Sequence, residues 1–160
     1  MEYISFTKTK LPYGWLGNMY ACPIEYDGKT YKSTEVLFQS LRFNDEDIIE
    51  EIRNAHNGFS AKLVAKKHRD KYVIEPLSEV DINNMRLCLK LKVLQHPNIK
   101  QQLIETHPLP IYEDVTKRGR RGSNLFWGAI NENNNWDGEN ILGRLWMELR
   151  NNIILSESLF

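Results

Sequence analysis

This sequence predicts an α+β fold, mostly helical with a few short strands. Apolar residues recur at helical spacing from Ser33 onward, in stretches bounded by capping residues and turn formers. Strand-like alternation is confined to short segments, and one pair of them flanks the favoured turn Asp27-Gly28. A chain of 160 residues suits a single domain spanning 1–160, large enough to bury a core without disulfides or metals.

Tyr3 to Thr7 alternates like a strand, after which Pro12, Gly14 and Gly17 break regular structure in a loop holding Tyr13, Trp15 and Tyr20. Cys22 to Tyr31 reads as a β-hairpin turning at Asp27-Gly28. The hairpin delivers the chain to a helix over Ser33 to Phe43, STEVLFQSLRF, which Ser33 or Thr34 caps while Glu35 meets the positive end of the helix dipole. Asp45 to Ala55 is a second helix, with Ile48, Ile49 and Ile52 inward and Gly58 as its stop. Ser60 to His68 is a third, short and basic. Ser78 opens the longest helix, capped in the S-x-x-D manner with Asp81 and running to about His96. Its wheel sets Ile82, Met85, Cys88 and Leu89 on one arc, and Lys92 points into that arc. After Pro97, Asn98 to Thr106 is helical and Pro110 to Val115 extended, whereas Asn131 to Asn140 is polar and turn-rich. A final helix from Asn140 or Ile141 to about Ile154 presents Leu142, Leu145 and Leu149 to the core.

The 21 acidic and 21 basic residues cancel, so net charge predicts no general attraction to nucleic acid or membrane surfaces. Any basic site must be local. Cys22 and Cys88 lie far apart without metal-ligand spacing, which suits reduced thiols in an intracellular protein. No apolar run approaches the roughly 20 residues that span a bilayer, and MEYISFTKTK has no secretory core. A cytoplasmic protein with no membrane partner is expected. Dinucleotide, phosphate-loop, nucleophile-elbow and zincin motifs are absent, which leaves redox, kinase and zinc-hydrolase chemistry without positive support.

Three polar groups remain, set among aromatic residues. Glu35, Gln39 and Arg42 fall at i, i+4 and i+7, either as a solvated face with a weak Glu-to-Arg relay or as a functional stripe. Lys92 either snorkels to water or is an amine kept partly desolvated, with a lowered pKa and nucleophilic character. TKRGRRGSNLFWGA interleaves Lys117, Arg118, Arg120 and Arg121 with glycines and continues into Phe126 and Trp127. It is either a solvated basic loop or a phosphate cradle with rings beside it. If the three segments meet in one cleft, they suit a phosphorylated ribose or nucleotide.

These residues resemble the NADAR domain family over nearly the whole chain. Four ordered motifs carry the resemblance: the hairpin YDGKTYKSTE leading to F-Q-x-x-R-F (Phe38 to Phe43), M-R-x-x-L-x-x-K (Met85 to Lys92), F-W-G (Phe126 to Gly128) and G-x-N-x-L-G-x-L-x-M-x-x-R (Gly138 to Arg150). The chain departs from common family patterns at Ala129, where many members carry an acidic residue, and at Arg42, often lysine.

The resemblance implies an N-glycosidase that cleaves bonds to ribose. Some members remove ADP-ribose from guanine in nucleic acid, as antitoxins to a DNA ADP-ribosyltransferase, and others act on phosphoribosylamino pyrimidine intermediates of riboflavin synthesis. For this chain the expectation is an ADP-ribosylated guanine substrate on DNA or RNA, no cofactor, no metal, and an ADP-ribosyltransferase toxin as genetic partner. A riboflavin intermediate and non-catalytic sensing of ADP-ribose are the alternatives. Cleavage builds positive charge at ribose C1 and negative charge on the departing base, which suits Glu35 as acid/base and a neutral Lys92 as the nucleophile of a Schiff base. Direct water attack with Glu35 as base, and Asp137 as second carboxylate, is the other route. Arg42, Arg118, Arg120 and Arg121 are expected on the diphosphate, Trp15, Phe126 and Trp127 as stacking or apolar walls, and Phe38 among the residues that bind substrate. Asn18, Gln39 and Asn140 are expected to orient ribose hydroxyls or the catalytic pair.

Overall fold

Local signals set most element ends. The computed structural model describes residues 2–158. In chain order its elements are β1 (Ile4–Phe6), β2 (Ile24–Tyr26), β3 (Lys29–Tyr31), α1 (Thr34–Ser40), α2 (Glu46–Arg53), α3 (Gly58–Lys67), α4 (Glu79–Gln95), α5 (Pro97–Glu105), β4 (Ile111–Glu113), α6 (Asn124–Trp127), β5 (Ile130–Glu132), β6 (Asn135–Asp137) and α7 (Ile141–Ser158). The mixture is α+β, as expected. The chain divides into two compact units, Asn18–Gln95 and the residues up to Gly17 together with those from His96 onward.

In the unit Asn18–Gln95, Asp27 (φ 51°) and Gly28 (φ 76°) make the tight turn that sets Ile24 opposite Tyr31 and Tyr26 opposite Lys29. Ser33 Oγ accepts the Val36 N–H at 3.4 Å and starts α1. This helix is shorter than its apolar spacing suggests, because Leu41 is its C-cap and Arg42 donates its N–H to Gln39 O in a tightened last turn. Gly58 does not stop α2, which ends at Arg53 with Asn54 as C-cap. Instead Asn57 Oδ1 accepts the Ser60 N–H at 2.9 Å and makes Gly58 the first residue of α3. Helix α1 packs against α2, α3 and α4, burying Val36, Leu37, Phe38, Ile52, Ala61 and Leu89.

In the other unit β1 and β4 pair in parallel, Ile4 opposite Ile111, and α7 packs against β4. Trp146 of α7 is fully buried and donates its Nε1–H to Leu16 O at 3.0 Å. Strands β5 and β6 form a second hairpin where only an irregular turn-rich stretch was expected. Its turn is Asn133-Asn134 (φ 52° and 65°), since asparagine tolerates the left-handed region. Helix α7 spans 18 residues against 17 for α4, so the longest described helix is the last one. No helix among the described residues is long and apolar enough to cross a membrane.

Candidate active site

The stripe on α1 and the turn after it is buried: Glu35, Gln39 and Arg42 are 8, 4 and 8 % exposed, which removes the solvated-face alternative. Gln39 Nε2 donates to Glu35 Oε2 at 2.6 Å, one helical turn away, and fixes that carboxylate. Asn18 O accepts the Glu35 N–H at 3.0 Å, at the start of α1. Asn18 Nδ2 donates to Met85 Sδ at 3.4 Å, and its Oδ1 is buried with no hydrogen-bond partner among the described residues.

Gly58 sets the packing beside Glu35. A Cβ there would lie 2.6 Å from Met19 Sδ and 3.2 Å from Glu35 Cβ, so a methyl group fits only if Met19 moves and Glu35 gives by a few tenths of an ångström. Gly58→Ala is therefore expected to lower kcat several-fold by pushing Glu35. The accompanying loss of stability is about 1 kcal/mol, because Met19 is partly exposed and can swing away. Kinetics alongside urea denaturation measure both effects.

On α4 the buried stripe comprises Asp81, Met85, Cys88, Leu89, Lys92 and Val93. Lys92 is fully buried at 0 % exposure, which overturns the snorkelling alternative. Its Nζ lies 5.6 Å from the centroid of the Tyr20 ring. Burial lowers the Lys92 pKa to about 8, while the neighbouring Cys22 pulls weakly the other way. Burial raises the Cys88 thiol pKa, and the charges of Glu35 and then Asp81 raise it further. The field of Glu35 thus falls on the α4 stripe one turn before Lys92.

Arg42 was expected on a diphosphate, but its fork grips Asp81 instead, Nε to Oδ1 at 2.9 Å and Nη2 to Oδ2 at 2.7 Å. Asp81 is fully buried, and a buried carboxylate needs such a bidentate partner. Ser78 Oγ accepts the Asp81 N–H at 3.2 Å as the capping pattern foresaw, yet the Asp81 side chain reaches Leu77 N–H and Arg42 rather than closing the box. The Arg42 guanidinium lies 4.7 Å from the Phe38 ring centroid. Phe38, expected to bind substrate, is 3 % exposed and forms a floor for that guanidinium.

The remaining expected residues belong to the other unit. Asn140, expected to orient ribose, spends both ends of its amide on β4. Its Nδ2 donates to Ile111 O at 2.9 Å and its Oδ1 accepts the Glu113 N–H at 3.0 Å. Its own N–H donates to Gly128 O, and a Cβ on Gly138 would lie 2.5 Å from the same oxygen, so the F-W-G and G-x-N motifs meet for packing. Arg118 and Arg120 are about half exposed and rest on carboxylates, Glu113 at 3.1 Å and Asp137 at 2.7 Å respectively. Asp137 is thereby an exposed partner of Arg120. Arg121 is exposed on the same loop, and Phe126 meets Trp127 edge-on at 4.9 Å. Trp15 packs edge-on against Trp146 at 6.4 Å.

An acid held by an amide and a buried amine on the facing helix, within a chain carrying those four motifs, define the class. The chain belongs to the NADAR domain family, whose model matches residues 5–154. The protein named N-glycosidase YbiA from Shigella boydii serotype 4 (strain Sb227) is 32% identical over 154 residues, covering 96% of this chain and 90% of that protein. The riboflavin biosynthesis protein VVA0006 of Vibrio vulnificus (strain YJ016) is 25% identical over 138 residues, covering 86% of this chain and 35% of that protein. The NMR structure of the E. coli protein YbiA superposes with a TM-score of 0.76 and 30% identity, covering 98% of this chain and 89% of that one.

Proposed function

We infer that this NADAR-type N-glycosidase removes ADP-ribose from an ADP-ribosylated nucleobase, with guanine in nucleic acid as the base. The observation that carries the reading is Lys92, a fully buried amine on α4, one turn beyond the Cys88 thiol that the charge of Glu35 reaches. Glu35 delivers a proton to the departing nitrogen, which leaves with the electron pair of the C1–N bond. The neutral Lys92 amine bonds to C1, and ring opening turns the adduct into a Schiff base. Water then adds to C1 and the C1–Nζ bond breaks, returning the free amine and the reducing sugar.

Arg118, Arg120 and Arg121, with Phe126 and Trp127 on the same stretch, have the chemistry to exchange their carboxylate partners for the oxygens of a diphosphate. Support for ADP-ribose over a smaller sugar phosphate comes from the number of guanidiniums on that one loop. Action in the cytoplasm, against an ADP-ribosyltransferase toxin as genetic partner, goes with this reading. Purified protein incubated with DNA carrying ADP-ribosylated guanine is expected to release free ADP-ribose. No release at micromolar enzyme, beside a working positive control, sinks the substrate assignment.

A second reading rests on the Vibrio relative, whose name points to riboflavin biosynthesis. Phosphoribosylamino pyrimidine offered in parallel separates the two, since the preferred substrate shows the higher kcat/KM. Tight binding of ADP-ribose with no product from either compound favours a sensor instead.

A further inference from the structure

Two buried stripes face each other in the unit Asn18–Gln95. One consists of Glu35, Gln39 and Arg42, and the other of Asp81, Met85, Cys88 and Lys92 at i, i+4, i+7 and i+11. Arg42 grips Asp81 near the start of α4. Glu35, seven residues before Arg42, places its charge on Cys88, seven residues after Asp81. Equal steps in opposite directions define an antiparallel register, with Lys92 one turn beyond Cys88 at the Glu35 end. We propose that Arg42 and Asp81 are positioning residues that set this register, and through it the placement of Glu35 against Lys92, rather than ligands for substrate phosphate.

Apolar ridges on two packed helices tolerate a slip of one turn, whereas a bidentate ion pair has a single geometry. A slip of one turn would carry Glu35 about 5.4 Å along α4 and strand two buried charges. The pair is held on every side. Asp81 Oδ2 also accepts the Leu77 N–H at 2.9 Å, Arg42 O accepts the Val73 N–H at 2.8 Å, and the guanidinium lies over the Phe38 and Tyr72 rings, 4.7 and 5.6 Å from their centroids. Buried ion pairs contribute little net stability and serve best as devices that select one arrangement. The catalytic consequence rests on the N-glycosidase roles assigned above to Glu35 and Lys92.

The test replaces both partners with apolar residues of similar size, Arg42→Met together with Asp81→Leu, which leaves no charge unpaired. This variant is expected to unfold cooperatively at an unchanged melting temperature and to keep KM within about threefold, while kcat falls at least about tenfold. Arg42→Lys keeps the charge without the fork and is expected to lose kcat in the same direction, which decides the matter if the double variant does not fold. Unchanged kcat in either folded variant overturns the proposal. A raised KM with kcat intact also overturns it, because that pattern marks a phosphate ligand. If the wild type cleaves none of the N-glycosides offered, the functional reading has failed and the register is tested without turnover. Proton–proton NOEs between the Glu35 and Cys88 side chains are then expected to be lost in a folded variant, and unchanged NOEs overturn the proposal.

Discussion

Replacing Lys92 with methionine is expected to lower kcat by at least about a thousandfold, because the side-chain volume stays while the nucleophilic amine goes. Borohydride added during turnover should reduce the Schiff base and leave the mass of the sugar on the α4 peptide of the wild type alone. Turnover by Lys92→Met at the wild-type rate ends the nucleophile role, and lost turnover without trapping in the wild type restricts Lys92 to electrostatics. The pH profile gives an independent check. Burial lowers the pKa to about 8, and attack requires the neutral amine, so the ascending limb of kcat/KM against pH should have its midpoint near 8, while the need for a protonated acid sets a descending limb. Stability moves the same way. Between about 8 and the ordinary lysine value of 10.5 the unfolded chain binds more protons at Lys92 than the folded one, so stability rises with pH over that window. Denaturation at pH 7 and pH 10 should show a larger gain for the wild type than for Lys92→Met.

Glu35→Gln should keep the fold and lower kcat about 10²–10⁴-fold, the usual effect of removing a general acid. Glutamine preserves the shape of the side chain and an oxygen for Gln39 Nε2, which reaches Glu35 at 2.6 Å, so the change is confined to proton transfer and charge. KM and melting temperature are expected to move little. Wild-type kcat in this variant removes Glu35 from both the Schiff-base route and direct water attack, since each needs it. Because the two residues serve one reaction step, combining Glu35→Gln with Lys92→Met should add little to the worse single loss.

Features set within a few residues were legible in the chain. Ser33 caps α1, Asp27-Gly28 turns the first hairpin, and the spacing of Glu35, Gln39 and Arg42 puts them on one stripe. Each reports a local conformational preference or a helical period. Lys92 could be placed inside an apolar arc for the same reason. Two further local signals lie in the chain. Asn133-Asn134 turns a hairpin because asparagine accepts positive φ, and Asn57 captures Gly58 for the start of α3.

What the sequence by itself determined is therefore the family, the α+β class, and the presence of an acid and an amine at helical positions, the amine within an apolar arc. Tertiary structure alone decided how those groups are held. Arg42 reaches across to Asp81, Asn140 spends its amide on Ile111 and Glu113, and Gly58 makes room beside Glu35. A guanidinium or an amide reads the same in a chain whether it awaits phosphate or already holds a carboxylate or a strand. The choice depends on which distant partner desolvates it, and helix periodicity carries no information about that partner.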